Sequence, residues 1–328
     1  MSNRLKLSLA CGDYEIVRAL NEGTVTPDGI ELTVLTSMDS ATRHWRFLRR
    51  GEFDVAEVSA SSYVAARDKG LPFRAIPVFP HRRFRHGFVF VNTAAGIRGP
   101  GDLAGRRVGA KSFMTTAVLW LRGILQHDHG VHPASIDWVT ELDEDVAFTP
   151  PPGLRVSQAA DGRSLVEMLL SGELDAVISP DLIQPLLDRD PRVARLFGDH
   201  EAAEADYYRR TGIFPIMHVV GLRAELVERH PWVPINLFNA FQAAKAAGLR
   251  RMRDPRLVPL AWYREAWERQ EALLGPDPWE YGLTDRNRHT METLAGYSHE
   301  QGLTARQVPL DELFLDISPG RHRGIERF

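Results

Sequence analysis

A chain of 328 residues, 44% apolar and 25% charged, is too long for one simple core and suits two lobes. Its net charge of −3 gives no general attraction to nucleic acid or to a membrane surface, and no window carries enough consecutive apolar residues to span a bilayer. The single cysteine, Cys11, excludes an internal disulfide and any CxxC zinc pattern.

The stretch Met1–Leu7 runs directly into a strand-like pattern and lacks the apolar core and cleavage site of a secretory leader, so a cytoplasmic location is expected. Leu5–Ala10 reads as a strand, Gly12-Asp13-Tyr14 as a turn, and Glu15–Leu20 as a helix. Ile30–Leu35 is a second strand, Ala41–Arg50 a helix ending near Gly51, and Phe53–Val58 a third strand. Ser59-Ala60-Ser61-Ser62 opens a helix through Arg67, and Arg74–Phe79 is a fourth strand. This alternation predicts a largely parallel sheet.

The pattern then begins again. Gly87–Asn92 reads as a buried strand, followed by a strand at Arg107–Ala110, a helix at Thr115–Gln126 and a strand at Ile136–Thr140. Asp143–Gly153, with Pro150-Pro151-Pro152, is a loop; Ser164–Ser171 is a helix and Leu174–Ser179 a strand. Gly212–Leu222 reads as another buried strand, interrupted by His218, and all that follows is helical: Ala224–Arg229, Val233–Arg253, Tyr263–Leu274 and Asp285–Gln301. Two α/β units joined by two extended hinge strands predict a two-lobed α/β fold. The expected segments are 1–88 and 218–328, with the C-terminal helices, for one lobe and 89–217 for the other.

Ligands of parallel α/β sheets sit at the carboxyl ends of strands. That rule brings Asp13-Tyr14, Ser59–Ser62, Arg82–His86 and Ser112–Thr116 to one cleft. Three of these groups stand at expected helix starts, where free backbone N–H groups favour anions. The run from Val78 to Asn92 packs Arg82, Arg83, Arg85, His81, His86 and Phe84 between apolar stretches. Cations at the mouth of buried strands are costly unless an anion meets them, which points to a small carboxylate ligand.

Gly12-Asp13-Tyr14, Phe53-Asp54-Val55-Ala56-Glu57-Val58-Ser59, Ile76-Pro77-Val78-Phe79-Pro80, Phe84-Arg85-His86 and Pro215-Ile216-Met217-His218 together resemble the 4,5-dihydroxyphthalate decarboxylase family. The resemblance covers almost the whole chain in order. It implies an enzyme branch of the type II periplasmic-binding-protein fold, a hydroxylated aromatic carboxylate as substrate, and a homo-oligomer. His81 and Gly87 depart from it, standing where serine is expected, and Lys111-Ser112-Phe113 stands where the resemblance implies an acidic and more polar stretch ahead of Met114-Thr115.

The expected reaction is a decarboxylation with no cofactor; no residue is assigned as a metal ligand, and whether a divalent metal assists stays open. Arg82 or Arg85 would hold a carboxylate by a two-pronged hydrogen-bonded fork; the plainer alternative is that they bridge the lobes or pair with surface carboxylates. Asp13 and Glu57, with Glu57 favoured, would orient a histidine or take a phenolic proton, which a histidine could take instead, and His86 or His218 would protonate the ring carbon. A core histidine bonded to a carbonyl is the alternative for His86, and a structural ion pair with an arginine for Glu57. Asp13 is either a binding residue or a helix cap. Ser59, Ser61, Ser62, Ser112, Thr115 and Thr116 would bind a second carboxylate or cap helices, with Phe84 beside them. His127, His129 and His132 read as a solvated helix end rather than a metal cluster. Cys11 is either close to the site or a small buried side chain. Trp262, Trp267 and Trp279 are expected to pack the C-terminal helices or a subunit interface.

A non-catalytic receptor or ligand sensor on the same fold is the rival reading. A pyrimidine-precursor synthase on this fold would, by family resemblance, carry a cysteine-rich segment, and this chain has one cysteine.

Overall fold

The computed structural model describes residues 4–160 and 162–317; Met1, Ser2 and Asn3 of the leading stretch lie outside them. In chain order the elements begin with β1 (Leu5–Ala10), α1 (Arg18–Asn21), β2 (Ile30–Leu35), α2 (Ser40–Arg50), β3 (Val55–Ser59), α3 (Ala60–Asp68) and β4 (Phe73–Ile76). There follow β5 (Val89–Asn92), β6 (Arg107–Ala110), α4 (Thr116–His129), β7 (Asp137–Thr140), β8 (Arg155–Gln158), α5 (Leu165–Ser171), β9 (Ala176–Ile178), α6 (Gln184–Leu187), β10 (Val193–Arg195) and α7 (His200–Thr211). The chain closes with β11 (His218–Arg223), α8 (Ala224–Arg229), α9 (Val233–Met252), α10 (Tyr263–Leu274), α11 (Asp285–Glu300) and α12 (Leu310–Leu313). Among the described residues no helix is long and apolar enough to cross a membrane.

These elements form two compact units. The first holds residues 4–82, 218–291 and 308–317 around a sheet of order β2-β1-β3-β11-β4. The second holds 83–217 and 292–307 around a sheet of order β10-β5-β9-β6-β7-β8. The division departs from the expected segments in two places. Residues 83–88 group with the second unit, where the Arg83 amide donates to Pro215 and the Arg85 guanidinium to Pro180. Residues 292–307 do so as well, because Gln301 accepts from the buried Arg122 and donates to the Leu119 carbonyl.

Both sheets are mixed rather than largely parallel. β1 pairs in parallel with β2 and β3, but β11 runs antiparallel between β3 and β4. In the second sheet β5 is antiparallel to both β9 and β10. The two long expected strands around residues 87–92 and 212–222 are each shorter. His86–Phe88 is a 3₁₀ turn ahead of β5, and β11 starts at His218. α1 begins at Arg18 instead of Glu15, so Asp13 is not its cap. The helix α7 and the strand β8 have no counterpart in the sequence reading; β8 is almost wholly exposed and carries little apolar alternation.

One close approach in the first unit depends on glycine. A Cβ on Gly248 in α9 would lie 2.4 Å from the Glu15 carbonyl oxygen, a backbone atom with little room to move. Gly248→Ala gains up to about 1 kcal/mol of helix propensity, but the forced shift costs about 1–3 kcal/mol. The expected result is a lower urea midpoint with an unchanged slope.

Candidate active site

Parallel pairing of β1 with β3 sets Ala10 beside Ala56, and the chain leaving β1 meets Glu57 at once. The Gly12 N–H donates to Glu57 Oε2 (2.7 Å), and the Tyr14 hydroxyl donates to Oε1 (2.8 Å). β11 supplies the next partner. Its register opposes His218 to Ser59 and Val220 to Glu57, so Glu57 and His218 are diagonal neighbours across the strand pair. His218 Nδ1 is hydrogen-bonded to Glu57 Oε1. From α2, Arg43 places Nη2 at 2.9 Å from Glu57 Oε2.

Glu57 is fully buried and Arg43 nearly so, whereas 12% of the His218 side chain stays exposed. Burial pushes the Glu57 carboxyl upward, but His218 and Arg43 together outweigh it and hold the group well below the usual carboxylate range. The Tyr14 phenol is driven up by burial and by the Glu57 charge, so it stays protonated and serves as a donor.

Two more imidazoles adjoin this pair. The His44 ring lies edge-on to His218 at 4.7 Å between centroids, and the His81 ring does the same from another side, also at 4.7 Å. Burial holds His44 well below the ordinary histidine range, with His218 and Arg43 adding to the effect. His81 stacks on Tyr14 at 5.7 Å, and its backbone carbonyl accepts the His218 backbone N–H.

Tyr14 and His81 also form part of the wall of a cavity of about 500 Å³ in the first unit, a size suited to a small organic ligand. Asp13 and Arg82 share that wall with Tyr263, Trp267 and Trp279. Trp279 is fixed there because Lys245 donates to its carbonyl (3.1 Å) and to Asp277. Trp267 and Trp279, expected in helix packing or a subunit interface, line this cavity, and Trp262 is exposed. Arg82 is buried, and its Nη2 donates to the Glu280 carbonyl (3.0 Å) and to Asn287 Oδ1, which ties it to the C-terminal segment.

Of the other expected residues of this unit, Ser59, Ser61 and Ser62 are buried at the start of α3, with Ser59 Oγ 3.2 Å from Ser61 Oγ. Cys11 is buried too. Its thiol is pushed up to about 12, first by burial and then by the Glu57 charge. The folded chain should therefore resist thiol-specific reagents at pH 8 and react fully once unfolded in urea, as read by labelling stoichiometry.

The remaining expected residues belong to the second unit. His86 packs its ring against Phe197 and Tyr207 at 5.1 and 5.4 Å. Burial lowers its pKa to about 4, with His129 and Arg210 adding to the effect, so it is neutral near pH 7. Arg85 is buried and donates to the Pro180 carbonyl (2.7 Å) and Met217 Sδ (3.1 Å). Phe84 lies between Phe214 and Tyr208. Ser112 and Thr115 bond each other (2.9 Å), and Thr116 is buried in the first turn of α4. The amides of Phe113 and Met114 beside them already hold a carboxylate, since both donate to Glu144, at 2.6 and 2.9 Å. Farther along, His127 pairs with Glu300 and His132 accepts from the Ala134 N–H, as a solvated helix end would.

The mixed five- and six-stranded sheets define the class of protein first: a type II periplasmic-binding-protein fold. The aliphatic sulphonate binding protein SsuA of Escherichia coli superposes with a TM-score of 0.57 over 98% of this chain and 96% of its own, at 13% identity. Residues 14–181 match a family profile described as the periplasmic substrate-binding protein of a phosphonate ABC transporter. Within that class the chain belongs to the 4,5-dihydroxyphthalate decarboxylase family. It is 36% identical to the 4,5-dihydroxyphthalate decarboxylase of Comamonas testosteroni over 95% of this chain and 97% of that protein. It is 35% identical to the enzyme of the same name from Pseudomonas putida over 63% of this chain and 83% of that protein.

Proposed function

We propose that this protein decarboxylates a hydroxylated aromatic carboxylate such as 4,5-dihydroxyphthalate, with His218 as general acid and Glu57 as the group that orients and charges it. One observation carries the reading: a fully buried carboxylate, held by Arg43, Tyr14 and the Gly12 amide, is bonded to the Nδ1 of a partly exposed imidazole. That arrangement fixes the ring and favours the imidazolium, and it is the ring rather than the carboxylate that keeps some exposure. Kinship with two decarboxylases supports the reaction class.

In the reaction the ring carbon bearing the carboxylate takes a proton from His218. The electron pair of the C–C bond returns to the ring as CO₂ leaves, and a ring hydroxyl pushes electron density toward that carbon. His86 suits the acid role less well, because at neutral pH it has no proton beyond that of the neutral ring. The cavity walled by Tyr14, His81, Trp267 and Trp279 offers aromatic faces for a planar guest.

The test is a panel of hydroxybenzoates and hydroxyphthalates incubated with purified protein and assayed for released CO₂. The expected result is turnover confined to rings with a hydroxyl ortho or para to a carboxylate. Saturable binding of these compounds without CO₂ release would favour a ligand-binding role instead.

A further inference from the structure

We propose that Glu57, His81 and His218 form a binding site for a divalent transition-metal ion, and that the ion competes there with the proton of His218. The three side chains each offer a ligand atom, and those atoms lie within 4.8 Å of one another. No other trio of histidine, cysteine or acidic side chains among the described residues gathers so closely. Bonds of about 2.0–2.2 Å to nitrogen and oxygen set ligand atoms on one ion about 3–4 Å apart, so adjustments of about an ångström close the set. Two imidazoles and one carboxylate suit Zn²⁺, Co²⁺ or Fe²⁺ and leave coordination positions open.

The surroundings define what kind of site this is. The Gly12 amide and the Tyr14 hydroxyl steady the carboxylate, as the supporting contacts of metal ligands do. Arg43 on Oε2 is a competing cation, so the ion is held exchangeably rather than as a permanent part of the fold. His44, buried edge-on to His218, leaves its Nε2 without a hydrogen-bond partner among the described residues, beside the three ligand groups rather than among them. His81 is half-buried and borders the cavity, which gives an ion a way in. The sequence alone names no metal ligands and leaves open whether a divalent ion assists; residues 57, 81 and 218 lie far apart in the chain.

Metal binding stands on this geometry alone. Its consequence for turnover rests on the reading of His218 as proton donor: an imidazole bound to an ion at this site cannot deliver the proton, so a loaded site is an inhibited one.

The experiment is a Co²⁺ titration of the chelator-stripped, full-length chain without substrate, followed by visible absorption and checked by Zn²⁺ competition. One saturable site with the spectrum of four- or five-coordinate cobalt is expected. His81→Ala should weaken it at least about tenfold, and His218→Ala likewise. His127→Ala, at the surface, should leave it unchanged. Absence of saturable binding, or a single site indifferent to His81→Ala, overturns the proposal. Because His81 is half-buried, its variant is checked for an unchanged circular dichroism spectrum; should it misfold, the anomalous signal of Zn²⁺ in wild-type crystals decides, and a site away from these three residues overturns the proposal. CO₂ release is then measured with and without Zn²⁺. Binding without inhibition would count against the donor role of His218 and leave the metal site standing.

Discussion

His218→Ala is expected to lower kcat for CO₂ release by about 10²–10⁴-fold, the range for loss of one positioned proton donor. KM should stay within about a fewfold of wild type, since the ring is assigned to proton delivery rather than to holding the guest. The size of the effect follows from the geometry around the imidazole. Nδ1 is committed to a carboxylate that is itself fixed by three further donors, so the ring is held in one orientation. His44 is held neutral by burial, and His86 is neutral at working pH. Added imidazole should restore part of the rate if the missing function is chemical. A variant with kcat within tenfold of wild type on a confirmed substrate would remove His218 from the mechanism.

Glu57→Gln carries the second large effect, this time on stability. Arg43 is 2% exposed, and its closest anion is Glu57. Removing that charge strands a guanidinium in the interior, which costs about 3–5 kcal/mol. Pairing the change with Arg43→Met should recover a substantial part of the loss, and urea titration of the two single variants and the double variant measures the coupling. The pH dependence has a definite sign. The folded carboxyl titrates below its unfolded value, so its contribution is complete above the unfolded pKa of about 4.3 and fades as pH falls toward the folded value. Wild type should lose stability on acidification from about pH 5 downward, and Glu57→Gln should show a shallower slope there. Equal slopes would contradict the assignment.

Much of the first unit was legible before its coordinates. The apolar runs of β1, β2 and β3 alternate with helices at periods that leave little ambiguity, and a carboxylate at the end of so apolar a strand as β3 had to have a partner. His218 was visible as a polar interruption in a buried strand. The pairing of the two was not, because it depends on β11 returning antiparallel to β3, and nothing local in either segment specifies that return. The sequence alone leaves the arginines near residue 82 between gripping a ligand and a structural role, since charge shows in a sequence and its partners do not. Arg82 is taken up by Asn287 and the Glu280 carbonyl, about two hundred residues along the chain, and Arg85 by Pro180 and Met217. The role of Glu144 was hidden for the same reason: a proline-rich loop gives no sign that one of its acids will reach back to the amides of Phe113 and Met114.

The alignment of β11 against β3 has a genetic corollary. Side chains on a strand alternate faces, so one extra or missing residue that slid β11 by a single place would swing His218 away from Glu57 and present Val219 or Met217 instead. Codon substitutions can spare this site at most positions of the two strands, while a single in-frame insertion or deletion at the threshold of β11 cannot. Lineages descended from this chain should therefore vary in length elsewhere and keep the count of residues entering β11 constant.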